Sequence, residues 1–349
     1  MSDRRNLRIL NSVFVATALL GGLLASPALL TAQKPYHIVD RWKLGGEGGW
    51  DYLLADPPAH RLYITHGVRV EVVDSLTGKP VGAITGLQGT HGVALDDTGK
   101  LGYISDGKGN AVVVFDRATL ATVATIPAGQ NPDAIVFEPV TQTVWAFNGR
   151  SQDASVIDVA TRKVVATIPL PGKPEFAAVD GKGMIYDNIE DKSELIRIDG
   201  KAKKLTGEWK LAGCDGPSGL AIDVAGGRLF SVCGGKKMAV TDAKTGQSIG
   251  VSLIGVGPDA AGWDAMHKLA FASCGEGVLS VIDAGAPGYP SVESLPTQSG
   301  ARTMAYDSQA DRIYLVTADF GPRPEPTAAM PHARPPVIPG SFVVLVIGR

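Results

Sequence analysis

A unit of about 42 residues recurs along almost the whole chain, and each copy carries the same four short apolar runs. The copy spanning 88–129 shows them plainly. Gly92-Val93-Ala94-Leu95-Asp96 ends in an acid, and Leu101-Gly102-Tyr103-Ile104-Ser105 follows. Ala111-Val112-Val113-Val114-Phe115-Asp116 ends in a second acid, and Ala121-Thr122-Val123-Ala124-Thr125-Ile126-Pro127 closes the unit. The place of His91 is taken elsewhere by Asp51, Asp133, Glu175, Ser218, Asp259 and Arg302. Apolar runs this short, rich in β-branched residues and bounded by turn residues, are strands. Four strands per unit at this period predict an all-β fold, a β-propeller of four-stranded antiparallel blades. The blades fall at 46–87, 88–129, 130–172, 173–214, 215–257, 258–300 and 301–349. No blade can bury both faces alone, so one closed domain over 33–349 is expected rather than two domains.

The seventh copy lacks its fourth strand. Its last run, Phe342-Val343-Val344-Leu345-Val346-Ile347, matches a third strand, and the sequence stops there. His37-Ile38-Val39-Asp40-Arg41-Trp42-Lys43-Leu44 has the character of a fourth strand and precedes the first copy. Pairing the two would close the ring and remove an exposed edge. Blade 7 also carries a proline-rich insertion from Gly321 to Gly340, which includes His332. Long ordered loops of this kind are often lids or binding loops, but a solvated excursion fits equally.

Residues 1–32 read as a secretory signal rather than as fold. Arg4, Arg5 and Arg8 precede an apolar stretch from Val13 to Leu30, and Leu30-Thr31-Ala32 offers a small-residue cleavage site. Export to the periplasm or beyond is therefore expected, by the general route or a twin-arginine one, with no membrane span left after cleavage. The three cysteines, Cys214, Cys233 and Cys274, form no CxxC, which removes zinc-ribbon and covalent haem sites. An oxidising compartment would permit one disulfide. Cys214 with Cys233 is favoured, because the two flank one blade, though other pairings stay open. The net charge of −2 and the lack of a basic stripe disfavour nucleic acid as a partner.

Functional candidates follow from the register. First strands start, and second strands end, at the same rim of the ring, so both sets are expected around one mouth of the central channel. The starts are Asp51, His91, Asp133, Glu175, Ser218, Asp259 and Arg302; the ends are His66, Asp106, Asn148, Asn188, Cys233, Cys274 and Thr317. His66, His91, Asp51, Asp106 and Asp133 come from adjacent blades and could ligate a divalent metal ion. His66, His91 and Asp51 could equally act as a general acid and base. Asp106, Asp133, Glu175, Asp259 and Arg302 are the expected ligand-binding residues, with Arg302 suited to an anionic group. Solvation alone would also make such a mouth polar. The aspartates that end third strands, such as Asp116 and Asp158, recur in nearly every copy and read as turn residues.

Ser155-Val156-Ile157-Asp158, followed by Thr161-Arg162-Lys163-Val164-Val165-Ala166-Thr167-Ile168-Pro169, resembles the YVTN-repeat seven-bladed propellers, which include YncE-like periplasmic proteins. The resemblance covers about 36–349 and implies an exported, monomeric binding protein with a small-molecule or protein partner. Similar propellers also serve as lyases, lactonases and dehydrogenase subunits, so a metal-assisted hydrolase, lactonase or lyase is the alternative. No GxSxG, Walker or HExxH motif selects an enzyme.

Overall fold

The computed structural model describes residues 34–325 and 334–349; the expected signal segment and His332 lie outside the described residues. Seven antiparallel sheets of four strands each make up the described fold. Blade 1 consists of Trp50–Asp56, Arg61–His66, Arg69–Asp74 and Pro80–Ile84, in that spatial order. Blades 2 to 6 repeat this meander. Blade 7 takes three strands from its own copy and the fourth, His37–Lys43, from the other end of the chain. Ile38 pairs with Ile347 and Trp42 with Val344, antiparallel. The ring closes as the sequence predicted, and the wholly buried strand Val343–Gly348 has a partner on each side.

Side chains of a strand alternate between two faces, so each second strand feeds two seams at once. Leu62 and Ile64 pack against Tyr314 and Val344 of blade 7, whereas Tyr63 between them packs against Ile104 and Phe115 of blade 2. The core is therefore a set of seams between neighbouring blades. Second strands lie deepest, and Thr143–Asn148 is buried at every position. Fourth strands such as Thr122–Pro127 are mostly open to solvent. Burying a side chain like Trp145 or Phe147, both fully enclosed, is worth about 1.5–3 kcal/mol.

The aspartates ending third strands build turns. Asp116 accepts hydrogen bonds from the amides of Ala118 and Thr119 and from the Thr119 hydroxyl, and Asp74 and Asp242 repeat the arrangement with Thr77 and Thr245. Cys214 and Cys233 form a disulfide across a Cα separation of 5.3 Å, and Cys274 is free and buried. The bond is compatible with an exported protein. No described helix is long and apolar enough to cross a membrane.

Candidate site at the channel mouth

Each first strand begins at the mouth and runs down the channel wall, which brings the starting residues of neighbouring blades together. His91 Nδ1 lies 2.6 Å from Asp51 Oδ2 and 3.5 Å from Asp133 Oδ1. One donor atom from each of these three residues lies within 4.8 Å of the others. Further round the ring, Arg302 is ion-paired with Asp259, and Lys173 Nζ sits 2.9 Å from Glu175 Oε2. Ser218 instead donates its hydroxyl to the carbonyl of Pro258 and helps to join blades 5 and 6.

The rim holds more acid than it can comfortably ionise. Burial raises Asp133 well above the ordinary carboxylate range, partly offset by His91. Burial likewise raises Glu175, and lifts Asp259 to about 7 despite Arg302 beside it. Burial works against the charged form of His91, yet the bond to Asp51 and the fields of Asp133 and Glu175 raise it and hold the imidazolium. Asp133 Oδ1 has no hydrogen-bond partner and is shut away from solvent. A buried carboxylate oxygen left in this state is costly unless a proton or a cation meets it.

The mouth has a floor that the register did not announce. Tyr52 and Phe176 come one residue after Asp51 and Glu175, one step deeper along the channel. Their rings meet edge to face at 4.7 Å, and the Tyr52 hydroxyl donates to the Glu175 carbonyl. Blades 1 and 4 stand nearly opposite each other, so this contact crosses the channel. The sequence did hold a signal. The equivalent positions in the other blades are Gly92, Ala134, Gly219, Ala260 and Thr303, all small, so two aromatics have room to meet. Burial, with Asp133, Asp51, Glu175 and Asp259 around it, pushes the Tyr52 phenol well above its usual pKa.

The second-strand ends do not join this ring. His66 and Asp106, expected at the mouth as metal or ligand residues, are turned into the seams between blades. Strand alternation is the reason, because His66 shares the face of Leu62 and Ile64. Its ring stacks on Phe342 of blade 7 at 4.1 Å, and its Nδ1 lies 3.7 Å from Glu71. Asp106 accepts from the amides of Gln88 and Gly89, fastening the loop that leads into its own blade. Thr317 does the same work by donating to the Ser299 carbonyl, and Cys233 does it covalently through Cys214. In blade 4 the pairing puts Ile189 opposite Pro174, as His66 stands opposite Trp50. Asn188 therefore sits one place earlier than the repeat suggested, and its side-chain amide donates to the Ser218 and Gly219 carbonyls.

One step before Asn188 is an acid that the sequence did not single out. Asp187 aligns with Ile64, Ile104, Ala146 and Leu315, is fully buried, and has no hydrogen-bond partner for either oxygen. Burial, reinforced by Glu175 and Asp133, raises its pKa well above the usual range. On the opposite face a second His–carboxylate group, Asp264, His267 and Asp311, is already provided for. Arg349 Nη2 lies 3.9 Å from Asp264, and Tyr306 donates to Asp311.

No protein-family model and no curated protein matches the sequence. Solved structures do resemble the fold. Hydrazine synthase of Kuenenia stuttgartiensis aligns at a TM-score of 0.68 and 15% identity, over 77% of this chain and 92% of that one. U3-55K aligns at 0.72 and 8% identity, over 89% and 98%, and the WD40 repeats of RRP9 at 0.73 and 8%, over 89% and 97%. At these identities the likeness is one of architecture: a seven-bladed propeller of the WD40-like kind.

Proposed function

We propose that this chain is an exported propeller of the YVTN-repeat type that binds its ligand at the channel mouth, through a divalent cation held by Asp51, His91 and Asp133. The observation that carries this reading is the buried Asp133 oxygen, unpartnered and facing a histidine already clasped by a second carboxylate. One imidazole, its extra proton displaced by the cation, and two carboxylates form a mixed N/O donor set suited to Mn²⁺, Zn²⁺ or Fe²⁺. Three protein donors leave coordination positions open to a ligand, and the Tyr52–Phe176 contact spans the channel beneath them. Titration of metal-free protein with Mn²⁺ and Zn²⁺ by calorimetry should give one site that a His91→Ala/Asp133→Asn variant loses while keeping its fold. Wild-type protein with no saturable site would overturn the proposal.

The 2.6 Å contact of His91 with Asp51 supports a second role, in which the pair acts as general base and acid in a hydrolase, lactonase or lyase. Turnover that persists in metal-free protein and disappears in Asp51→Asn would favour that role over a binding protein. Export is tested separately, by the intact mass of protein recovered from the native host's envelope. Retention of residues 1–32 would contradict signal cleavage.

A further inference from the structure

We infer that the mouth recognises a short dicarboxylate, one end on the cation and the other on Arg302. The inference rests on the cation site proposed above and names what that site would take. Arg302 stands on the same rim, on the far side of Asp51 from His91, and its guanidinium lies within the field of Asp51 as well as that of Asp259. It is only partly spoken for. Nη1 donates to Asp259, and among the described residues Nε and Nη2 meet no acceptor. A planar fork with free donors in a two-thirds-buried position is a receptor for a carboxylate.

The two handles differ in chemistry and agree in ligand. A cation on one imidazole and two carboxylates keeps open positions that oxygen anions fill. The guanidinium offers the paired donors that a second carboxylate accepts. Beneath them lies the aromatic pair Tyr52 and Phe176, an apolar contact against which methylene carbons could rest. A monocarboxylate can use only one handle. Arg302 stands in the blade next to that of Asp51, near enough to interact with its charge, so the dicarboxylate proposed is a short one.

The test uses the mature full-length protein loaded with Mn²⁺, with succinate as probe and acetate as the one-handled control. Metal occupancy is followed by water-proton relaxation and ligand binding by calorimetry. Succinate should bind the loaded protein at least about tenfold more tightly than acetate, as expected for one added charge-assisted pair. An Asp259→Asn/Arg302→Gln variant, which leaves no lone charge on the rim, should bind Mn²⁺ normally and lose that margin. Arg302→Lys should recover only part of it. Equal binding of succinate and acetate, or an unchanged margin in the double variant, overturns the dicarboxylate assignment and leaves the cation site standing. Failure to take up Mn²⁺ removes both.

Discussion

Two rings of side chains share one end of this propeller, and both change identity from blade to blade. The ring of first-strand starts faces the channel, where Asp51, His91 and Asp133 meet one another and Arg302 pairs with Asp259. The ring of second-strand ends faces the seams. There His66, Asp106, Cys233 and Thr317 each meet the loop entering their own blade or the wall of the neighbouring one. The second ring varies because several chemistries solve one problem: a carboxylate, a hydroxyl and a disulfide can all pin a loop. The first ring varies because each residue has a different neighbour round the mouth. Variation among repeats is thus no mark of function by itself; the direction of the side chain decides what it means.

The comparison breaks if removing a seam residue proves harmless. Replacing Cys214 and Cys233 together by Ser should cost about 3 kcal/mol in chemical denaturation, from the loop of 19 residues the bond closes, with Mn²⁺ binding unaltered. A variant as stable as the parent would mean that blade 5 does not rely on that fastening. Asp106→Ala should cost about 1–2 kcal/mol, since it removes the charged acceptor of two part-buried amides. Asp133→Asn on the channel ring should change stability by less than about 1 kcal/mol and abolish cation binding instead. If these two variants behaved alike, the distinction between the rings would fail.

Asp187 sharpens the comparison from inside a seam. Asp187→Ala installs the residue type that blade 3 carries at Ala146, and should stabilise the fold by about 1–2 kcal/mol at neutral pH. The sign follows from its raised pKa. The folded state holds the proton more tightly than the unfolded chain does. Stability is therefore fully present below about pH 4 and is lost as pH rises toward the folded-state value. The Ala variant should show a flatter stability profile over that range, and an unchanged slope would refute the assignment. The smallest effect belongs to Asp158, whose carboxyl the Thr161 hydroxyl and amide hold below its usual range. Its contribution is present above about pH 4 and fades as pH falls through the lowered value, and salt screens it further. Acid titration of Asp158→Ala against the parent should show a slight loss of stability near neutral pH that vanishes at low pH.

The ring and its closure were legible because they depend on period and strand count, which a sequence displays directly. Half of the site was legible for the same reason, since Asp51, His91 and Asp133 occupy one register position in three adjacent blades. His66 and Asp106 were misplaced because their height along the strand was read without their facing. Pairing Asp106 with Thr90 in the ladder, and counting alternate positions outward from Leu62, would have turned both into the seams. The floor was missed although Tyr52 and Phe176 stand out against Gly92, Ala134 and Gly219. A contact between opposite blades has no sequence separation that marks it. Asp187 was overlooked because burial is a property of the finished seam; in the sequence it is one more aspartate near a turn.

The closing strand makes the origin of the ring arbitrary. His37 pairs with Gly348, and Arg349 Nη2 lies 2.6 Å from the Tyr36 hydroxyl, so the two ends of the described propeller are neighbours on one sheet. A short peptide could join them and fresh ends could be cut at an outer turn such as Thr77-Gly78, giving a circular permutant with every seam intact. In such a molecule all seven blades would be continuous except the one chosen for the cut. The same geometry that lets two distant segments share blade 7 therefore makes this fold a closed loop that can be opened wherever a turn reaches solvent.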